Sequence, residues 1–366
     1  MRLILSIALA LLLTPAGAGA AEVNTSAGRV MVEAVVTGLD EPWSVGFLPD
    51  GGILVTERGG RLLHRRADGQ VVSVRHGLRV KPEGQGGLMD VMVPRDFAGS
   101  REVFLSFATA LASGSGTALA VGRLNPEGTA LTGTRVIFQM SPGSRGGRHF
   151  GSRIVEARDG TMFLTIGERG DRPAAQDLSR HNGTIIRIRR DGTVPADNPF
   201  VGVADAQPEI WSYGHRNPQA AALDRGGQLW AVEHGARGGD EVNLIRRGAN
   251  FGWPVIAYGR HYSGLPIGEG THSTGMEQPE FYWDPSIAPS GMVVYSGKLW
   301  PVWRDAHFVG SLKFDYIARL AGRPLREVEK IQGTDTKRVR DVREAPDGTI
   351  WFLSVDRGAL YRMSPG

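Results

Sequence analysis

Ser152-Arg-Ile-Val-Glu-Ala-Arg-Asp159-Gly160-Thr-Met-Phe-Leu164 is an apolar strand, an Asp-Gly turn and a second apolar strand. Gly accepts the positive φ that such a turn requires, so the stretch reads as a β-hairpin. The same phrase recurs at residues 43–55 around Asp50-Gly51, at 220–232 around Asp224-Arg-Gly-Gly227, and at 339–352 around Asp347-Gly348. The aspartates at 50, 159, 224 and 347 are 109, 65 and 123 residues apart, or two, one and two units of about 55–65 residues. About six strand-rich units predict an all-β fold, a six-bladed β-propeller of four-stranded antiparallel blades. Residues 30–36 and 358–363 are both strand-like, and their pairing would close the ring and hide its edge. A β-sandwich or two barrels is the competing architecture. In a ring, the long loops at 190–208 and 258–279 are expected to crowd one end, where propellers place their sites.

Composition agrees with this reading. Of 366 residues 51 are Gly, twice the usual share of about 7%, which argues against long helices. Apolar content of 41% with 22% charge is that of a folded protein. No Cys is present, which excludes disulfides, thiolate metal sites, cysteine nucleophiles and covalent c-type haem. The net charge of +4 is spread over interspersed acids and bases, and the longest basic runs are pairs (Arg65-Arg66, Arg189-Arg190, Arg246-Arg247). That pattern is a mixed solvated surface and offers no nucleic-acid footprint.

Met1-Arg2, the apolar run 3–13 and Ala18-Gly19-Ala20 read as a secretory signal over residues 1–20, cleaved before Ala21. A lone anchor helix is the other possibility, but Pro15 and the small residues break the run. No later segment is apolar enough to span a bilayer. The mature chain, 21–366, is therefore expected to be one soluble propeller, periplasmic or secreted.

Several turns carry more chemistry than turns need. Gly84-Gln85-Gly86-Gly87 presents Gln85 from a tight turn; a phosphate cradle is disfavoured, since no Gly-Lys-Ser/Thr follows. His149, set among glycines, is expected to be exposed, and Glu168 lies one hairpin further on. If the strands pair, the two meet at one rim, and a carboxylate beside an imidazole makes a general base, although many such pairs are structural. His64, His76 and His307 lack such surroundings and read as surface or packing residues. Arg216-Asn217-Pro218 suits an oxyanion or carbonyl oxygen, or simply holds loop carbonyls. Residues 233–241, rich in carboxylates and glycine, suit Ca²⁺, with neither EF-hand spacing nor a zinc pattern. Arg338 and Arg340, two apart, would share a strand face and, with Lys313, hold a multiply anionic small ligand or form a solvated edge.

Taken together, Gly86-Gly-Leu-Met-Asp-Val, His149-Phe-Gly-Ser-Arg, Gln176-Asp-Leu, Asp197-Asn-Pro-Phe, Glu209-Ile-Trp-Ser-Tyr-Gly, Arg216-Asn-Pro-Gln, Gly238-Gly-Asp-Glu, Glu277-Gln-Pro and Arg338-Val-Arg-Asp-Val stand in one order. That series, covering about residues 39–363, resembles the soluble pyrroloquinoline quinone (PQQ)-dependent sugar dehydrogenases, and most of all their bacterial aldose sugar dehydrogenase branch. The resemblance implies a six-bladed propeller with PQQ in its mouth, its C5 carbonyl facing solvent. It implies His149 as the base for the sugar C1 hydroxyl while hydride passes to C5, giving the lactone, with Glu168 as its acidic partner. Arg216 would polarise the quinone oxygen, with Asn217 following it in the cofactor site, Gln85 contacting cofactor or substrate, and Tyr262 an aromatic residue near the cofactor. Lys313, Arg338 and Arg340 would bind the PQQ carboxylates. Ca²⁺ would bridge PQQ to the carbonyls of Gly235 and Ala236, and a second, structural Ca²⁺ would use Glu241 and the carbonyl of Phe251.

The chain departs from that pattern at Ala236, where Pro is usual, at Phe251, where Tyr is common, and at Arg148. Arg148 would lower the pKa of His149 by like-charge repulsion, or reach toward substrate. The partners implied are an aldose and an external electron acceptor of unspecified kind, with the chain a monomer or homodimer. A Ca²⁺-dependent propeller lactonase or hydrolase would share the metal and carboxylates but would not need the Lys313/Arg338/Arg340 cations. A non-catalytic binding propeller would leave the His149–Glu168 pair unused.

Overall fold

The first strands of six antiparallel sheets stand side by side around one axis: Pro42–Phe47, Leu88–Met92, Ile154–Glu156, Pro218–Leu223, Pro289–Val294 and Val339–Glu344. The computed structural model in which they are seen describes residues 20–366, so the proposed leader, apart from Ala20, lies outside the described residues. Behind each inner strand three more follow outward, giving the predicted six-bladed propeller. Among the described residues helix is confined to Phe97–Ser100 and two 3₁₀ turns, and none is long and apolar enough to cross a membrane.

The four Asp-Gly phrases all fall between the first and second strand of a blade. The unmarked blades are the second and the fifth, hence the two-one-two spacing. There the first and second strands still pair, and the Asp-Gly turn is replaced by Phe97–Ser100 and by the 3₁₀ turn Pro301–Trp303.

Closure is as predicted, with one addition. Gly28–Thr37 pairs antiparallel with Ala359–Pro365, and Ala21–Thr25 adds a fifth strand to that blade alone. Ser26 follows it, its N–H and hydroxyl both donating to Glu329 of the fifth blade. The blades pack through apolar faces. Trp300, Trp303, Phe308 and Phe352 are buried between the fifth and sixth, at roughly 2–3 kcal/mol for each such side chain.

The axis itself is polar. Arg153 pairs with Asp90 (2.9 Å) and Asp341 (3.1 Å), and Arg343 bonds both as well (2.8 and 3.0 Å). These side chains come from three different blades. Breaking one partner of such a buried set costs about 3–5 kcal/mol, because it strands a charge. The aspartate of Gly86-Gly-Leu-Met-Asp90 and the arginine of His149-Phe-Gly-Ser-Arg153 thus belong to the frame.

Candidate active site

Each inner strand runs away from one end of the ring and the second strand returns to it. Residues just before the first strand and just after the second therefore gather at one mouth, while the Asp-Gly turns lie at the other end. The mouth holds a cavity of about 1180 Å³ lined by Gln85, His149, Arg216, Asn217, Gly235, Ala236, Tyr262, Lys313, Arg338 and Arg340. Only part of the loop expectation holds. Residues 258–279 contribute Arg260, Tyr262 and Gly264 to the cavity. Residues 190–208 follow a third strand, which runs away from the mouth. Arg187 ties Asp197 to Asp159 at the turn end (3.0 and 2.7 Å).

His149 and Glu168 meet as the hairpin argument predicted, with Nδ1 2.8 Å from Oε1. The exposure expected for His149 is corrected: only 9% of the residue is accessible. Its backbone takes φ 54°, an uncommon conformation for a side-chain-bearing residue. The loop is pinned from three sides. The His149 N–H donates to Gln85 Oε1 (2.7 Å), Arg169 donates to the carbonyls of Gly146 and Arg148, and the Arg169 guanidinium lies over the Phe150 ring. Gly167 has to be glycine here, since a Cβ would stand 2.1 Å from the His149 carbonyl oxygen. Glu168 Oε2 accepts the Gly170 N–H. The His149 Nδ1 is taken by Glu168, no hydrogen bond reaches Nε2 among the described residues, and His149 lines the cavity. Burial holds this imidazole below its ordinary pKa; the Glu168 hydrogen bond opposes that, and Arg216 and Arg148 add to it.

Arg216 and Asn217 stand at the turn into the fourth blade. Arg216 donates to the His234 carbonyl (3.1 Å), so it does hold a loop, yet its buried Nε has no partner. Asn217 Oδ1 accepts from Gly151 N–H (3.2 Å) and from Gln219 Nε2 (3.1 Å), tying this turn to the His149 loop. Glu233 Oε2 accepts the N–H groups of Arg216 and Asn217 (2.6 and 3.3 Å), while its Oε1 meets His215 Nδ1 at 2.8 Å.

Lys313, Arg338 and Arg340 line the cavity without an ion-pair partner among the described residues. Arg340 donates to Gln219 Oε1 (2.9 Å) and lies over Trp43. Burial, then Arg338 and Arg153, push its pKa down to about 9. Burial acts the same way on Arg343, three residues on, but Asp341 and Asp90 outweigh it and its pKa is raised. One strand therefore carries a neutralised arginine in the frame and an unneutralised one at the mouth. The shared strand face is corrected: Arg338 precedes Val339–Glu344 with φ 44°, and the two arginines meet in the cavity through that turn.

Gly235, Ala236, Glu241 and Phe251 line one small void beside the cavity. A Cβ on Gly235 would lie 2.1 Å from the Gly238 carbonyl oxygen and 2.3 Å from that of Gly239, so this turn is dense in oxygens. Burial, then Glu233 and Asp240, push Glu241 up to about 8. Among the described residues no three acidic or histidine side chains converge on a metal position. The donor set is mixed, one carboxylate with main-chain carbonyls, and such hard oxygens fit Ca²⁺.

The sequence reading missed His234, Arg237, Arg260 and the His215–Glu233 pair. His234 lines the cavity and bonds the Pro289 carbonyl at 2.7 Å; burial, then Arg216, push its pKa down to about 3. Glu233 ends the second strand of a marked blade, as Glu168 follows one, and that parallel was the available signal. His64 and His307 are packed as expected, His307 edge-on to Trp230. Tyr262 is 73% exposed on the rim.

Comparison with known proteins adds three findings. A family model described as glucose/sorbosone dehydrogenase matches residues 39–362. The chain is 41% identical over 345 residues to aldose sugar dehydrogenase YliI of Escherichia coli, spanning 92% of this chain and 93% of that protein. The structure is similar to the apo form of the soluble aldose sugar dehydrogenase of Escherichia coli (TM-score 0.88, 39% identity, 92% and 100% covered). It is also similar to the PQQ-bound aldose sugar dehydrogenase of Streptomyces coelicolor (TM-score 0.75, 25% identity, 92% and 98% covered).

Proposed function

The chain belongs to the glucose/sorbosone dehydrogenase family, and we propose that it is an exported oxidoreductase that converts aldoses to lactones at C1 with PQQ and Ca²⁺. One observation carries this reading. An imidazole with an open Nε2, backed by a buried carboxylate, faces the same cavity as four cations, Arg216, Lys313, Arg338 and Arg340, that pair with no carboxylate among the described residues. A lactonase would need no such set of cations.

When bound, PQQ supplies the acceptor for the C1 hydride and Ca²⁺ a Lewis acid at its quinone oxygen. Lys313, Arg338 and Arg340 would hold the cofactor carboxylates, and the free Nε of Arg216 would donate to a ring oxygen. The carbonyls of Gly235 and Ala236 would hold the catalytic Ca²⁺; Glu241 and the Phe251 carbonyl would serve a structural one. His149 Nε2 takes the proton of the C1 hydroxyl. Glu168 keeps the Nδ1–H tautomer, so Nε2 is the free base, and it stabilises the imidazolium once formed. Gln85, Asn217 and Arg169 fix the loop that carries the imidazole. The proton leaves through the open mouth, and the electrons pass to an external acceptor.

The test is reconstitution. Cofactor-free protein given PQQ and Ca²⁺ is expected to reduce an artificial dye with glucose and other aldoses. No turnover with any aldose, together with no bleaching of bound PQQ, overturns the proposal. Exchanging Arg338 and Arg340 together for Gln is expected to weaken PQQ binding by about tenfold or more, read by titration; unchanged affinity removes them from the carboxylate site.

A further inference from the structure

Two cations of the cavity remain without a task once the others are assigned. Arg58 is paired with Glu41 at 2.5 Å, and Arg216, Lys313, Arg338 and Arg340 are given to the cofactor under the proposed function, on which this inference rests. Arg237 and Arg260 line the same cavity on its outer wall, both exposed. They exchange main-chain hydrogen bonds, Arg237 N–H to Arg260 O at 3.0 Å and Arg260 N–H to Arg237 O at 3.3 Å. Residues that exchange both bonds in an antiparallel pair project side chains on the same face, and like charges so placed are destabilising. Neither guanidinium makes a hydrogen bond or an ion pair among the described residues. Asp284, the cavity carboxylate other than Glu41, pairs with neither. Beside them Gly264 has no side chain, and the Arg237 Nη1 is the nearest atom to where its Cβ would be, at 4.0 Å. The wall is thus open there, with two planar donor forks side by side.

We propose that Arg237 and Arg260 form a subsite for a carboxylate carried by the sugar, so that hexuronates are among the aldoses this enzyme binds and oxidises. The forks match a carboxylate bidentately. The subsite adds orientation at the end of the sugar remote from C1, leaving the reacting hydroxyl to His149.

The test compares D-glucuronate with D-glucose on the PQQ- and Ca²⁺-loaded enzyme and its R237Q/R260Q variant. Calorimetric titration with methyl β-D-glucuronide and methyl β-D-glucoside, whose blocked C1 prevents turnover, gives a second readout. The glucuronide is expected to bind roughly threefold to tenfold more tightly than the glucoside at low salt, and the double variant to erase that preference. The kcat/KM ratio of glucuronate to glucose should fall with it. An equal preference in wild type and variant overturns the subsite. So does a gain for glucose 6-phosphate with none for glucuronate. A variant effect confined to the rate with an acidic protein acceptor also overturns it and assigns the pair to acceptor docking. Loss of activity with glucose itself in the wild type would instead sink the dehydrogenase reading, and the two failures are distinct.

Discussion

His149–Glu168 and His215–Glu233 are the same device in consecutive blades. Each imidazole precedes an inner strand, each carboxylate closes the second strand, and each Nδ1–Oε1 distance is 2.8 Å. Their far nitrogens differ. His215 Nε2 lies 2.9 Å from Ser212 Oγ, its ring is stacked on Phe251 at 4.6 Å, and the residue is fully buried. His149 lines the cavity, and its Nε2 has no hydrogen-bond partner among the described residues. A carboxylate at Nδ1 fixes a tautomer in both. Only where the other nitrogen is left open does that arrangement become a base. The closed copy holds, through Glu233, the main chain of Arg216 and Asn217.

Three experiments bear on this contrast. Removing the open imidazole has the largest expected effect: His149→Ala should cut kcat by about 10²–10⁴ while PQQ remains bound, measured by dye reduction and cofactor titration. Wild-type turnover in that variant would abolish the distinction between the pairs. Removing the closed one, His215→Ala, should cost about 1–3 kcal/mol of stability in denaturant unfolding, since Ser212 and Glu233 lose a buried partner. The acid limb of its pH–rate profile should stay where the wild type has it; a displaced limb would mean that the closed pair takes part in the reaction.

The smallest effect concerns tuning. Because His149 acts as the neutral base, kcat/KM should rise with pH through its pKa, and burial with Arg216 and Arg148 puts that limb below the ordinary value of about 6.5. Arg148→Gln removes one positive neighbour, so the imidazolium is less disfavoured and the limb should move to higher pH by less than about one unit. A move in the other direction would show that Arg148 acts on the substrate instead.

What the sequence made legible follows from distance along the chain. His149 and Glu168 flank one hairpin, so the strand pairing that joins them is local and readable. Asp50, Asp159, Asp224 and Asp347 mark turns whose chemistry is local too, and their spacing counted the blades. Gln85 on the His149 N–H and Arg153 between Asp90 and Asp341 join elements far apart in sequence, Arg237 meets Arg260 through an isolated bridge outside the strands, and no local pattern announces them. The resemblance implied that Gln85 contacts cofactor or substrate; its bond to the His149 main chain was not legible. Arg338 shows a different limit: i, i+2 spacing predicts a common face only inside a strand, and φ 44° at that residue lies outside one.

The strand Gly28–Thr37 has Ala21–Thr25 on one side, but its other neighbour, Ala359–Pro365, and the two strands behind that one lie beyond residue 338. During synthesis it must wait for almost the entire chain before that second neighbour exists. The ring therefore closes last and from both ends, a slow event of high contact order. Until then the sixth sheet has unpaired edges open to other chains. Under the proposed export, such delay would leave the ring open until the chain has reached its destination.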